Sequence, residues 1–292
     1  MPLDANQPYA EHKILWEETP APRHVGLVLS GGAARGAAHV GVLEVLDEAR
    51  IPIHNVVGVS AGSIVGGLYA AGVSPLRMRS VIGQMGWGTI SSIHIPSLRW
   101  AGFNLSAMNL PMGLFSLDKL IGFVHGITGG PVDFEHLNIP FAAVAADVTR
   151  DESVVLNQGD IAEAMRISSS VPGIFVPVRR DGRLLVDGGA VNNLPVSVAR
   201  QMGAEYVIAV DLLPPEGTNF AEPSNMLDLV FVSIYSLVRA TQTGANLANV
   251  RISPDIAHIN MADFSQTETL LAAGRAAAEA ALPEIKVALG MA

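Results

Sequence analysis

The apolar positions of the chain fall into short runs that alternate with segments of helical periodicity. Several runs are nearly free of polar residues and have the length of a strand that is covered on both faces. They span residues 25–29, 56–59, 141–147 and 205–211. Between the first two, residues 37–50 carry Val40, Leu43 and Leu46 at the spacing of an amphipathic helix. This alternation predicts an α/β fold with a largely parallel central sheet.

Shorter apolar segments complete the pattern. Residues 183–187 predict a short strand, and residues 153–156 are the expected neighbour of the strand at 141–147. Two helical runs follow: residues 226–238 are apolar nearly all round, and residues 270–289 are alanine-rich and amphipathic. A helix that is apolar all round suits the core, a subunit interface or a bilayer-contacting surface, and the core is the favoured interpretation.

No break in composition, charged run or repeat marks a second domain. We therefore predict a tail over residues 1–24, a core domain over 25–212, and a helical part over 213–292 that belongs to the same domain. An insertion at residues 80–115 carries Trp87, Trp100 and Phe103 with little periodicity. Two interpretations of it stay open, a mobile apolar lid and an irregular segment packed on the core.

Composition narrows the chemistry. Of the 292 residues, 49% are hydrophobic and 15% are charged, which allows a substantial buried core. The net charge of −9 argues against a nucleic-acid partner and gives no general attraction to anionic lipid. The chain has no cysteine, which excludes disulfides, thiolate metal sites and cysteine nucleophiles.

The N-terminal residues predict a cytoplasmic location, because no apolar segment follows a basic start as it does in a secretory signal. Residues 51–76 lack Asp, Glu, Lys and Arg and are long enough to cross a bilayer. However, five glycines, three serines and Pro52 interrupt this stretch, and a buried strand, turn and helix fit it better than one membrane helix.

The turn in this stretch has the sequence of a nucleophile elbow. An apolar run ends in Gly58-Val59-Ser60-Ala61-Gly62, and a helix-like run follows at once. A serine at a sharp strand-to-helix turn adopts a strained backbone, and side chains two residues before and after it would collide with neighbouring elements. Glycine at positions 58 and 62 avoids that collision.

A second loop, Ser30-Gly31-Gly32-Ala33-Ala34-Arg35-Gly36, follows the strand at 25–29 and precedes a helix. Its small residues let backbone amides approach an anion. A dinucleotide site would have glycine where Ala33 stands, and a phosphate loop would have Gly-Lys-Ser/Thr, which is absent. The remaining interpretation is an oxyanion hole that serves Ser60 on the neighbouring strand.

A third motif, Asp187-Gly188-Gly189, follows the strand at 183–187. Alone it would indicate only a turn. Together, the three motifs resemble those of patatin-like phospholipases, in the same order. The likeness extends to residues 168–175 and 192–195 and so covers roughly residues 25–212.

The resemblance implies a three-layer α/β/α fold and the hydrolysis of lipid acyl esters, at a membrane surface or in micelles. It implies a dyad in which Ser60 attacks and Asp187 takes the proton, without histidine, cofactor or metal. The amides of an oxyanion hole formed by Gly31, Gly32, Ala33 and Ala34 would face the developing charge. The family usually has glycine at position 33, and alanine serves there only if φ need not be positive.

The other motif residues receive supporting roles. Gly36, Gly58, Gly62, Gly188 and Gly189 let the loops approach one another. Arg35 corresponds to the family's basic position in the loop, and two roles stay open for it: contact with substrate, or bracing of the loop.

Three alternatives remain. A Ser60-Asp187-His258 triad would have the chain order of ordinary α/β-hydrolases, although residues 255–260 alternate like a strand. His39 is interpreted as a helix-face residue and Asp147 as a turn aspartate rather than as parts of the site. An acyltransferase or a non-catalytic lipid-binding protein on a related scaffold are the other two alternatives.

Overall fold

The computed structural model describes residues 22–94, 112–213, 222–241 and 247–291. Its centre is a sheet with the strand order β11-β10-β1-β2-β5-β9-β8, and β6 also pairs with β5. The strands are β1 Val25–Leu29, β2 Asn55–Val59, β3 Ser92–Ile93, β4 Gly113–Ser116, β5 Phe141–Asp147, β6 Glu152–Leu156, β7 Gly173–Phe175, β8 Val178–Arg180, β9 Arg183–Asp187, β10 Tyr206–Val210 and β11 Val250–Ile252. The run from β11 to β5 is parallel throughout, as the sequence predicts.

Helices cover both faces of this sheet. They are α1 Ala37–Glu48, α2 Ala61–Ala70, α3 Pro75–Ile82, α4 Trp87–Ile90, α5 Asp118–Thr128, α6 Ile161–Ser168, α7 Val196–Gln201, α8 Met226–Thr241 and α9 Thr267–Ala288. The larger hydrophobic core lies on the face of α1, α2 and α9, and a smaller one lies beneath α7. The predicted three-layer α/β/α arrangement with a mostly parallel sheet is confirmed.

Strand β5 brings two distant segments together. It pairs with β6 along residues 143–147 on one side. On the other side it pairs with β2 in parallel along residues 141–144 and then with β9 in antiparallel fashion along residues 145–147. Val59 therefore stands opposite Val144, and Asp187 stands opposite Ala145. The carboxyl ends of β2 and β9 meet head to head, which places Ser60 next to Asp187.

A small second sheet, in the order β3-β4-β7, lies beside the core. Next to it the ring of Trp87 in α4 contacts the rings of Phe115, Phe175, Phe231 and Phe264, at centroid distances between 5.7 and 6.2 Å. The beginning of the predicted insertion is thus packed on the core. Residues 95–111, with Trp100 and Phe103, lie outside the described residues, and the lid stays a prediction.

Two details of the C-terminal part differ from or refine the expectations. Residues 255–260 form a turn after β11 instead of a strand, with Ile256 N–H donating to Pro254 O and Ile259 N–H donating to Ile256 O. Helix α8 is buried on one face through Phe231, Tyr235 and Val238 and exposed on the other. Within the described ranges, no helix combines the length and hydropathy that crossing a bilayer requires.

Candidate active site

Ser60 occupies a strained turn between β2 and α2, with φ of +51° and ψ of −125°. Non-glycine residues in such regions lie about 1–3 kcal/mol above relaxed backbone and persist where the surroundings hold them. Here Ser60 N–H donates to Ser168 Oγ at 3.0 Å, and Ser168 Oγ donates to Val144 O at 2.6 Å. A Cβ at Gly58 would lie 2.4 Å from Gly62 O, which explains the small residue there. The elbow predicted from sequence is present.

Asp187 lies at the end of β9 with only 3% of its surface exposed. Its Oδ1 accepts a hydrogen bond from Gly189 N–H at 2.8 Å, while its buried Oδ2 has no hydrogen-bond partner in the described part of the chain. Burial raises the pKa of Asp187 to about 6, and the nearby Ser60 hydroxyl and the Gly189 amide partly oppose that rise. An aspartate with this pKa can exchange a proton near neutral pH.

The Ser60 and Asp187 side chains lie close together without a hydrogen bond between them. The Ser60 hydroxyl is near enough to lower the pKa of Asp187, although no hydrogen bond of standard geometry connects them. The proximity follows from the meeting of β2 and β9 on β5. Contacts of this kind are commonly long before a ligand binds and shorten when it does.

The loop after β1 offers two free amides rather than four. Gly31 N–H donates to Asn193 Oδ1 at 3.1 Å, and Ala34 N–H donates to Met261 O at 2.9 Å. The N–H groups of Gly32 and Ala33 make no hydrogen bond with the described residues. Of the four amides in the predicted oxyanion hole, those of Gly31 and Ala34 already have acceptors, whereas those of Gly32 and Ala33 do not. The oxyanion hole itself stays a prediction.

Ala33 adopts a left-handed conformation, with φ of +51°. Positive φ places the Cβ of an L-residue against its own carbonyl oxygen, at a free-energy cost of about 1–2 kcal/mol. The sequence predicts that alanine serves at position 33 only if φ need not be positive. Because φ is positive, alanine occupies this position under strain. The loop holds Ala33 in place through its neighbours, since Arg35 N–H donates to Gly32 O at 3.1 Å.

Ala33→Gly is expected to raise the free energy of unfolding by up to about 1 kcal/mol, because relief of strain exceeds the added freedom of the unfolded chain. Urea unfolding would measure the change. Ala276→Gly on the exposed face of α9 is the matched control and should lose about 1 kcal/mol. Equal losses in both variants would contradict a strained Ala33.

Arg35 braces the loop. It is 1% exposed and donates to the carbonyl oxygens of Ile259, Ala257 and Leu212, with Nη2 at 2.7 Å from Ile259 O. Burial lowers the pKa of Arg35 to about 10, so the guanidinium stays charged at neutral pH. Its donors face main-chain carbonyls. The sequence leaves two roles open for Arg35, contact with substrate and bracing of the loop, and these contacts fit the second.

Two residues near Ser60 were not assigned a role from the sequence. A Cβ built on Gly31 would lie 2.6 Å from Asn193 Oδ1, 3.1 Å from Ser60 Cβ and 3.4 Å from the Tyr235 hydroxyl, so these three side chains surround one point. Burial and the charge of Asp187 raise the pKa of Tyr235, which keeps its hydroxyl protonated. Asn193 lies in a motif that the sequence singles out, whereas Tyr235 lies in a largely apolar helical run with no motif around it.

A cavity that is partly open to solvent begins at Ser60. Its wall includes Ala33 from the oxyanion loop and the aromatic rings of Trp87, Phe175 and Phe231. Most of the lining is apolar, and Ser169 adds a buried hydroxyl without a partner in the described part of the chain. An apolar cavity that opens on an activated serine suits a hydrocarbon ligand.

The competing candidates lie elsewhere or have other partners. His258 is exposed in the turn after β11, while Ser60 and Asp187 are buried. Burial lowers the pKa of His39 to about 4, and the neutral ring holds Ser30 O at 2.8 Å. Asp147 accepts hydrogen bonds from Thr149 and Arg150, as a structural turn residue does. No group of three or more potential metal ligands occurs within the described ranges.

The fold and site define an α/β protein with an elbow serine that faces a buried carboxylate. The family model for patatin-like phospholipases matches residues 27–200, more than half of the chain. The chain therefore belongs to the patatin-like phospholipase family.

Individual relatives agree with that assignment. An uncharacterized NTE family protein of Mycobacterium tuberculosis is 32% identical in a match that covers 90% of this chain and 47% of that protein. Patatin-like phospholipase domain-containing protein 6 of Mus musculus is 35% identical in a match that covers 68% of this chain and 14% of the mouse protein. The chain spans about half the length of the mycobacterial relatives that it matches.

Two solved structures share the fold. VipD from Legionella pneumophila has a TM-score of 0.53 and 18% identity, with 91% of this chain and 68% of that chain covered. The type III effector ExoU of Pseudomonas aeruginosa has a TM-score of 0.51 and 15% identity, with coverage of 92% and 54%.

Proposed function

We propose that the protein hydrolyses carboxylic esters of lipids, as a phospholipase A or lysophospholipase, through the dyad of Ser60 and Asp187. The observation that carries the proposal is an elbow serine that lines an apolar cavity and lies beside a buried aspartate with an unpartnered oxygen. The Gly32 and Ala33 amides, which have no acceptor among the described residues, add to it. Membership of the patatin-like phospholipase family supports the choice of lipid esters. The predicted cytoplasmic location and contact with membranes or micelles belong to the same proposal.

The reaction proceeds in two halves. Ser60 Oγ attacks the ester carbonyl carbon while its proton passes to Asp187, and the carbonyl oxygen becomes an oxyanion that accepts from Gly32 and Ala33 N–H. The intermediate collapses, the alcohol leaves with the proton from Asp187, and the acyl group remains on Ser60. Asp187 then takes a proton from water, and the resulting hydroxide attacks the acyl-enzyme carbonyl carbon. When this second intermediate collapses, the bond to Ser60 Oγ breaks, Asp187 returns the proton to Oγ, and the fatty acid leaves.

Each partner has a defined contribution. One oxyanion-hole donor typically lowers the barrier by about 3–4 kcal/mol, so two amides make the loop as important as the base. Tyr235 keeps its proton and can donate to Ser60 Oγ, which would leave the serine's own proton directed toward Asp187. The acyl chain occupies the apolar cavity and excludes water from the reacting groups.

The test uses purified protein, p-nitrophenyl butyrate and a fluorophosphonate probe, which modifies activated serines. Wild type and His258→Ala should cleave the ester and bind the probe, and Ser60→Ala should do neither while remaining folded by circular dichroism. Labelling of Ser60→Ala, or loss of activity in a folded His258→Ala, would overturn the dyad. An acyltransferase that binds a carboxylate substrate is disfavoured because the loop arginine, Arg35, is buried on main-chain carbonyls.

The pH dependence of kcat/KM should show an acid limb near pH 6. Asp187 must be ionised to accept the serine proton, and burial raises its pKa to about 6 from an ordinary value near 4. The rate should therefore fall about tenfold for each pH unit below that limb. A pH–rate profile between pH 4.5 and 8 checks this, and a flat profile down to pH 5 would contradict it.

A further inference from the structure

Beside the main cavity lies a second, smaller apolar space that is also partly open to solvent. Its wall is formed only by apolar side chains, among them Leu68 of α2, Val81 of α3 and Phe123 of α5. Ser60 does not line it, and neither does any residue of the oxyanion loop. An apolar space without polar partners does not hold ordered water, so hydrocarbon is the occupant that its chemistry suits.

The two cavities share a partition. Ile64, Val65, Ile82 and Met85 line both of them. Ile64 and Val65 are held rigidly in α2, the helix that begins at the elbow. Met85 lies just beyond α3 and has an unbranched side chain that can take several shapes. Of the four shared residues, Met85 therefore has the side chain with the most rotational freedom.

Two glycines flank Met85 and lie in open space. A Cβ built on Gly83 or Gly86 would meet no atom of the described structure within 4 Å. The segment is anchored at its start, since Met85 N–H donates to Ile82 O at 3.0 Å. The Met85 side chain itself is partly buried and packs against the core.

Resting on the hydrolase function proposed above, we propose that the second cavity receives the terminal methylene groups of a long acyl chain and that Met85 is the partition which that chain displaces. Each methylene moved from water into such a space changes the apparent affinity about fourfold. The preferred substrates are accordingly esters of long-chain fatty acids, and chain-length preference is set by residues remote from Ser60.

The experiment compares kcat/KM for p-nitrophenyl palmitate and butyrate presented in the same detergent micelles. Leu68→Phe and Val81→Phe fill the second cavity and should lower the palmitate-to-butyrate ratio by about tenfold or more. Met85→Ala removes the partition and should raise the palmitate-to-butyrate ratio. Leu76→Phe is the matched control on the exposed face of α3, where the ratio and both rates should stay at the wild-type value.

A binding measurement separates this inference from the function on which it rests. In Ser60→Ala, palmitate should raise Tm by stabilising the folded state, and adding Leu68→Phe should remove most of that shift. If butyrate is cleaved but the filled variants keep both the wild-type ratio and the palmitate shift, the second cavity is not used and the inference fails alone. If no ester is cleaved and Ser60 is not labelled, the proposed function fails. The palmitate-induced change in Tm still tests whether the second cavity binds an acyl chain.

Discussion

Asp187→Asn should lower kcat/KM for ester hydrolysis by about 10³-fold and, at the same time, make the folded protein more stable at neutral pH. The loss follows because an amide cannot accept the Ser60 proton. The gain follows because burial raises the pKa of Asp187 to about 6, so the ionised carboxylate is held in the fold at a cost.

The sign of the stability effect depends on pH. Between about pH 4 and pH 6 the folded state binds more protons at Asp187 than the unfolded chain does. The stabilising contribution of the carboxyl is complete below about pH 4 and is lost as pH rises through 6. Asparagine should therefore add about 1–3 kcal/mol to the free energy of unfolding at pH 7.5, at about 1.4 kcal/mol per pKa unit, and little at pH 4.

Asp147→Asn is the matched control. Asp147 is also a buried aspartate at a strand end, but its hydrogen bonds with Thr149 and its contact with Arg150 lower its pKa to about 2 despite burial. The same substitution there should destabilise the protein at pH 7.5. Urea unfolding of both variants at pH 7.5 and pH 4 distinguishes the cases, and a destabilised Asp187→Asn at pH 7.5 would contradict the raised pKa.

Arg35→Met should reduce the free energy of unfolding by about 3–5 kcal/mol, because two buried carbonyl oxygens and a partly buried one lose their donor. Methionine fills much of the space but satisfies none of these oxygens. Arg35→Lys should have a free energy of unfolding between those of the wild type and Arg35→Met, since an ammonium group cannot reach all of the same acceptors. Activity should decline with stability, because Gly32 and Ala33 lie in the loop that Arg35 braces.

Arg200→Met supplies the comparison. Arg200 also donates to three carbonyl oxygens, those of Ala204, Glu205 and Leu247, and to Asn249 Oδ1, but all of these contacts are exposed except the partly buried one to Ala204. Removing its guanidinium should cost only about 1 kcal/mol. Chemical denaturation measures both variants, and hydrogen exchange at Ala34 reports the loop directly if Arg35→Met proves too unstable to assay. Similar small losses at both positions would show that Arg35 is not a brace.

The parts of this molecule that the sequence predicts are those with local signals. The apolar run before Gly58, the strained Ser60 and Gly62 lie within a few residues, and their spacing indicates the elbow without further context. The alternation at residues 255–260 wrongly indicates a strand. These residues form a turn after Pro254, and a period of two in hydrophobicity does not distinguish such a turn from a strand. Local signals are sufficient where backbone geometry alone decides the structure.

The remaining features depend on contacts between distant residues. The acceptors of Arg35 lie between 177 and 224 residues away, so nothing near position 35 indicates that its charge is bound to main chain. The Gly31 amide donates to Asn193, which is 162 residues away, and the Ala34 amide donates to Met261. Two of the four amides in the predicted oxyanion hole therefore already have acceptors. The sequence does not distinguish Tyr235 from its apolar neighbours as a site residue, because its position next to Ser60 depends on tertiary packing.

Because β2 and β9 meet head to head on β5, that one strand sets the spacing between the two residues of the proposed dyad. Val144 and Ala145 are consecutive residues, so their Cα atoms are about 3.8 Å apart, and covalent geometry rather than loop conformation sets the gap between the strands that carry Ser60 and Asp187. Loops elsewhere can lengthen or shorten without altering this gap. A single extra residue inserted between Val144 and Ala145 would widen it by about 3.3 Å and part the two reactive groups.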